Sequence, residues 1–148
     1  MGIGRNDYFL TDFITNKGEY IMNELEMYLD FRKELDKYLV PVALSEMMRF
    51  GVFYRGKVVG LLGVRKLEGD SFYIDCVYIK RRYRRKGIAK RAVLNLYKGN
   101  RYADITLHII HNNEPAQKFW RNIFELEEVE RNETESLYRI VGLKCDED

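Results

Sequence analysis

The chain has 148 residues, 46% hydrophobic and 14% aromatic with only 2 prolines, which excludes a disordered polymer and suits one domain around one core over 1–148. No stretch approaches the roughly 20 apolar residues that span a bilayer, and 2 cysteines (Cys76 and Cys145) with 2 histidines are too few for a disulfide scaffold and argue against a metal enzyme. The net charge of +2 conceals an asymmetry along the chain, and the sparse cysteines fit a reducing, cytoplasmic compartment with no membrane partner.

The opening Met1-Gly2-Ile3-Gly4-Arg5-Asn6 lacks the hydroxyl residue of a myristoylation signal, and no secretory apolar run follows it. Residues 8–14 read as a short strand. An amphipathic helix fits 17–39, where Ile21, Leu25, Tyr28, Leu35 and Leu39 form one stripe. Pro41 ends it, and 42–48 can add a further helical turn or two. Residues 50–54 and 58–64 are β-rich runs split by the hairpin signal Arg55-Gly56-Lys57. Glu68-Gly69-Asp70 is a second turn, leading into a strand over 71–79. A helix follows over 87–97, burying Ile88, Ala92, Val93 and Leu96. Residues 104–111 read as strand, 114–123 as helix and 137–143 as a closing strand, with 127–131 placed beside the last. The order β-α-α-β-β-β-α-β-α-β-β describes an α/β fold, a mixed sheet flanked by helices.

The informative stretch lies between the 71–79 strand and the 87–97 helix. Lys80, Arg81, Arg82, Arg84, Arg85, Lys86, Lys90 and Arg91 carry eight positive charges, and without them the chain has 17 basic against 23 acidic residues. Charge focused in this way attracts an anion. A helix that opens directly from such a turn presents unpaired N–H groups and the positive end of its dipole. Gly87 and Ala89 lack bulk, so a pyrophosphate can approach the backbone. Neither Gly-x-x-x-x-Gly-Lys-Ser/Thr nor Gly-x-Gly-x-x-Gly is present, so the turn is neither a Walker loop nor a Rossmann turn.

The run Arg84-x-x-Gly87-x-Ala89, preceded by Tyr83 and a strand ending Val77-x-Ile79, closely resembles the acyl-CoA-binding motif of the GNAT N-acetyltransferases. Leu107-x-Ile109-x-x-x-Asn113-x-x-Ala116-x-x-Phe119 resembles the next strand and helix of that family, and the resemblance covers about 50–123. It implies a GNAT-like, mostly antiparallel sheet and an enzyme that moves an acetyl group from acetyl-CoA, its co-substrate, to an amine. It implies that the backbone of Arg85, Lys86, Gly87, Ile88 and Ala89, beside Arg84, holds the CoA pyrophosphate. The backbone of Val77 to Ile79 would pair with pantetheine, and Asn113 would face the same arm. Asn113 also reads as a helix N-cap before Glu114-Pro115, and the two roles are compatible. Trp120 stands beside the pantetheine position where the family usually has Tyr, and an indole N–H is no ordinary proton source for a thiolate.

Acetyl transfer needs an amine freed of its proton and a polarised thioester carbonyl. Some members that acetylate protein N-termini use a Tyr on the strand before the CoA turn and a carboxylate or His on the next strand, which together hold a water. Tyr73 and His108 resemble those positions, with His108 as the base and Asp75 in reserve. His111 reads as an incidental residue near a loop. By analogy, 30–48 and 130–137 border the acceptor, and their Glu34, Asp36, Glu46, Glu130, Glu133 and Glu135 suit a cationic amine, peptide or small molecule. A competing reading is a non-catalytic acyl-CoA-binding or structural protein of the same fold, with Trp120 as its support. A nucleic-acid patch is disfavoured because Tyr83 is the one aromatic among the basic residues and the rest of the chain is acidic. The expected assembly is a monomer or homodimer.

Overall fold

The computed structural model describes residues 10–12, 29, 30, 33 and 48–144. Strand β1 (Leu10–Asp12) falls within the first expected strand. Of the helix expected over 17–39, Leu29, Asp30 and Lys33 are described and are helical. The rest of it, residues 8, 9, 13 and 14, and the turns expected over 42–47 lie outside the described residues. From there the elements are β2 (Met48–Tyr54), β3 (Lys57–Leu67), β4 (Ser71–Ile79), helix α1 (Ile88–Gly99), β5 (Asp104–Ile110), α2 (Glu114–Ile123), β6 (Phe124–Arg131) and β7 (Glu135–Leu143). The described residues form the expected mixed, mostly antiparallel sheet with flanking helices.

The chain divides into two compact units, one holding Asp75–Arg101 and the chain up to Arg65, the other Lys66–Ile74 and the chain from Tyr102 onward. In the first, strand neighbours follow the order β1-β2-β3-β4. Met48 is strand and not helical turn, because its backbone extends the β2–β3 ladder by pairing with Val64. Residues 58–64 of β3 are buried without a break, so both faces of this strand are covered and its near-continuous apolar run is explained. Helix α1 lies against β2 and buries Ile88, Ala92, Val93 and Leu96, the stripe its spacing predicts. A Cβ on Gly60 would run into the Tyr78 carbonyl oxygen and the Ile79 side chain, so the close approach of β3 to the end of β4 requires glycine there.

In the second unit the order is β4-β5-β7-β6. Ser71–Ile74 pair in parallel with Asp104–Leu107, and β7 runs antiparallel to both β5 and β6. Ile105, Leu107 and Ile109 alternate inward along β5, and α2 packs on β5 and β6 through Trp120 and Ile123. Strand β6 leaves α2 without a connecting loop, three residues earlier than its sequence suggests, because Phe124 already pairs with Leu143 and is almost wholly buried. The strand also carries Glu125, Glu127, Glu128 and Glu130, exposed charges that discourage pairing along a strand at the end of the order. Among the described residues no helix is long and apolar enough to cross a membrane.

Gly60→Ala should lower the stability of the protein by about 1–3 kcal/mol, the range for an over-packed interior site. A shift of the urea midpoint measures it, and a variant as stable as the wild type would contradict the close approach of β3 to β4.

Candidate functional site

In the first unit the basic turn begins where β4 stops. The Lys80 amide donates to the Val59 carbonyl at 2.9 Å, fixing the exit, and Arg81–Tyr83 form a single 3-10 turn. Arg84 points inward: its Nε donates to the Ile79 carbonyl at 2.7 Å and its guanidinium lies over the Tyr78 ring, 5.2 Å from the centroid. The motif arginine therefore closes the turn. Two residues then take the left-handed conformation, Arg85 at φ 66° and Gly87 at φ 78°. Left-handed residues close together aim successive N–H groups into one concavity, an arrangement that binds anions. For Arg85 the conformation is strained, costing about 1–2 kcal/mol.

Helix α1 starts after Gly87 with no side-chain cap and no acid in its first turn. Its first internal bond runs from the Arg91 amide to the Gly87 carbonyl at 3.0 Å, which leaves the Ile88, Ala89 and Lys90 amides without intrahelical acceptors. The Ile88 side chain is buried and anchors the helix start, so only its amide can face a ligand, while Arg85, Lys86 and Gly87 are exposed. Among the described residues nothing lies within 4 Å of a Cβ built on Gly87. Beside the turn an open groove of about 540 Å³ is lined by Asp30, Lys33, Tyr78, Lys80, Arg81 and Arg82. Val77 is half-buried in the same strand end and Ile79 is buried.

Also in this unit, Asp75 is held by Arg65 through two hydrogen bonds, 2.9 and 3.3 Å, so the reserve base is a fixed partner of a guanidinium. Burial pushes the Cys76 thiol up to about 12. It is protonated at neutral pH and cannot serve as an acyl-accepting nucleophile.

In the second unit the parallel register sets Tyr73 opposite Thr106, so Tyr73 and His108 stand on the same face of neighbouring strands. The Tyr73 hydroxyl lies 2.6 Å from His108 Nδ1, with the rings edge to face at 5.5 Å. The contact between the two side chains is direct. His108 itself is exposed.

Asn113 caps α2, its Oδ1 accepting from the Ala116 amide at 3.2 Å. Among the described residues its Nδ2 has no partner. Trp120 is only 8% exposed and packs between Phe119 and Phe124, with ring centroids at 5.0 and 6.2 Å. It is a core residue of the second unit.

One further group has no signal in the residue spacing. His111 Nε2 lies 2.9 Å from the hydroxyl of Ser136, which is 1% exposed, and that hydroxyl reaches Glu128 at 2.6 Å. Glu128 also accepts from Arg131 at 3.0 Å, and Ser136 first, then Arg131, hold its carboxyl below the usual carboxylate range.

With this geometry in place, comparison with known proteins gives the family. The model of the acetyltransferase (GNAT) family matches residues 14–124. The chain belongs to this family. No curated protein matches the sequence. Among solved structures it is similar to a GNAT-family acetyltransferase from Staphylococcus aureus Mu50, at TM-score 0.63 and 14% identity over 90% of this chain and 98% of that one. It is similar to the PaiA N-acetyltransferase of Thermoplasma acidophilum in complex with coenzyme A, at TM-score 0.54 and 15% identity over 87% and 82% of the two chains. It is similar also to a GNAT-family acetyltransferase of Elizabethkingia anophelis with acetyl-CoA bound, at TM-score 0.51 and 11% identity over 73% and 81%. At these identities the likeness establishes the fold.

Cys76 should resist iodoacetamide at neutral pH in the folded protein and react once urea unfolds it, read by mass spectrometry of its peptide. Rapid alkylation of the native thiol would contradict its burial.

Proposed function

We propose that this GNAT-family protein is an acetyl-CoA-dependent N-acetyltransferase that acetylates a primary amine, with a peptide or protein amine favoured. The observation that carries the reading is the turn at residues 85–89, where two left-handed residues open directly into a helix start with bare amides. Its fit to a pyrophosphate is chemical: unpaired donors, exposed Arg85 and Lys86, and no described residue against Gly87. Arg84 serves by holding the turn, and Asn113 Nδ2 and the Val77 and Ile79 backbone are assigned to pantetheine. Trp120 is assigned to packing on that side. Acetyl-CoA supplies an activated thioester, and 1–148 acts as one functional domain, since the family match draws on both compact units.

His108 is the proposed base and Tyr73 its orienting partner. In the tautomer whose Nδ1–H donates to the Tyr73 oxygen, the lone pair sits on Nε2 of an exposed ring. An imidazole is a stronger base than a solvated carboxylate and suits removal of an amine proton better. The acidic residues of the β6–β7 turn, Glu130, Glu133 and Glu135, favour a cationic acceptor. The packing of Trp120 in place of a phenol keeps a second reading in view, a protein that binds acyl-CoA without transfer.

Two measurements test this. Acetyl-CoA at a hundredfold its dissociation constant should stabilise the protein by about 2.7 kcal/mol, and Gly87→Glu should abolish that stabilisation while the variant stays folded. An unchanged melting temperature with saturating acetyl-CoA would overturn the reading. His108→Ala should lower kcat about a hundredfold or more, the range for a lost general base, with acetyl-CoA affinity unaltered. Tyr73→Phe should cost less, and the two losses should not add, because both act on one imidazole. Full turnover in His108→Ala would place the base elsewhere, and binding without any transfer by the wild type would favour the second reading.

A further inference from the structure

The array of His111, Ser136 and Glu128 stands apart from the Tyr73–His108 pair and has one consistent arrangement of protons. Ser136 Oγ carries a single hydrogen, and at 2.6 Å from an ionised carboxylate that hydrogen points to Glu128. The same oxygen must then accept from His111 Nε2, 2.9 Å away. So the neutral imidazole has its hydrogen on Nε2 and its lone pair on Nδ1. Among the described residues Nδ1 has no hydrogen-bond partner, and the ring is only partly buried. A base whose second nitrogen is tied to a hydroxyl and a carboxylate is oriented as catalytic imidazoles are oriented. The His108 pair is different, since the Tyr73 contact is compatible with either tautomer.

The array also adjoins the acidic β6–β7 turn, which the proposed function sets beside the acceptor. The His111 amide donates to the Thr134 carbonyl at 2.9 Å, joining the end of β5 to the acidic β6–β7 turn. An alkylamine reaches an enzyme as an ammonium ion, and its nitrogen must lose two protons to become an amide, one before attack and one after. One base cannot take both without releasing the first.

We propose that His111 is a second acid–base residue of the transfer, its Nδ1 taking the proton that an alkylammonium acceptor loses before its nitrogen attacks. In that step an N–H bond of the ammonium breaks, the electron pair stays on the amine nitrogen, and an Nδ1–H bond forms. Ser136 and Glu128 are positioning residues that act through Nε2–H. The proposal rests on the N-acetyltransferase reading above.

The test begins with the wild type, screened with acetyl-CoA against short peptides with free N-termini and against small alkylamines, by free-thiol release. On the best acceptor, His111→Asn should lower kcat/KM for the amine at least tenfold and leave KM for acetyl-CoA unchanged. Ser136→Ala and Glu128→Gln should each give a smaller loss of the same kind. Nitrogen NMR of the wild-type His111 ring should report the Nε2–H tautomer, and Ser136→Ala should abolish that preference. If His111→Asn and Ser136→Ala reduce the melting temperature but leave kcat/KM intact, the array only staples the turn and the proposal is overturned. An Nδ1–H tautomer in the wild type overturns it as well, without reference to activity. A wild type that binds acetyl-CoA and acetylates no amine overturns the acetyltransferase reading, and the role of His111 with it.

Discussion

The eight residues between β4 and α1 must leave a strand, reverse and start a helix while keeping the helix's first amides bare. Each feature of the turn serves that constraint. The Arg84 guanidinium, the group most suited to meet a phosphate, is turned back onto the Ile79 carbonyl and the Tyr78 ring. Arg85 accepts a strained left-handed backbone, and no Ser, Thr, Asp or Asn stands at the helix cap to satisfy the amides. Like charges crowd together without an acid among them. Left alone, such a segment is unfavourable in both backbone conformation and electrostatics. A bound anion offsets both at once, by filling the N–H concavity and by neutralising the repulsion.

Register does for the side chains what this turn does for the backbone. Ile74, Cys76 and Tyr78 of β4 are buried, so Tyr73 and Asp75 must point to the opposite face. A slip of one residue would exchange the two sets and put a carboxylate in the core. The parallel pairing of Tyr73 with Thr106 then brings the phenol to His108, two residues along β5 on the same face. The same alternation leaves Asp75 where Arg65 can grip it with both oxygens. Two acidic or basic groups on one strand face thus have different fates, decided by what the neighbouring strand places opposite them.

Local features were the legible ones. The strands and helices from 48 onward follow from β-rich runs, turn residues and the 3.6-residue stripe, and the turn at 84–89 was visible as charge next to glycine. Asn113 could be read as a cap because its partner, the Ala116 amide, is three residues away. What escaped depends on partners far along the chain. His111 and Ser136 are separated by 25 residues, and no spacing rule links a loop histidine to a lone buried hydroxyl. The direct Tyr73–His108 contact needed the register of a parallel pair, and Arg65 on Asp75 needed the fold of the β3–β4 hairpin. Trp120 was ambiguous in sequence because an aromatic residue on a helix fits either a site or a core, and its stacking on Phe124 of the following strand has no signature in its spacing.

The packing of Trp120 also bears on which proton transfers the proposed reaction needs assisted. A thiol ionises near 8.5, so a thiolate departs readily and can take its proton from solvent. An alkylamine holds its proton with a pKa of about 10, and only the neutral form attacks a thioester. The demanding steps are therefore at nitrogen. If Trp120 stands where the family has its phenol, the proposed reaction gives up little, because the group a phenol would protonate is the better leaving group. The imidazoles proposed as acid–base residues would act at the larger barrier. In this chain both histidines have hydrogen-bonding partners that hold one ring nitrogen, Tyr73 for His108 and Ser136 for His111. In the proposed reaction the acid–base groups thus serve nitrogen, where protons are hardest to remove.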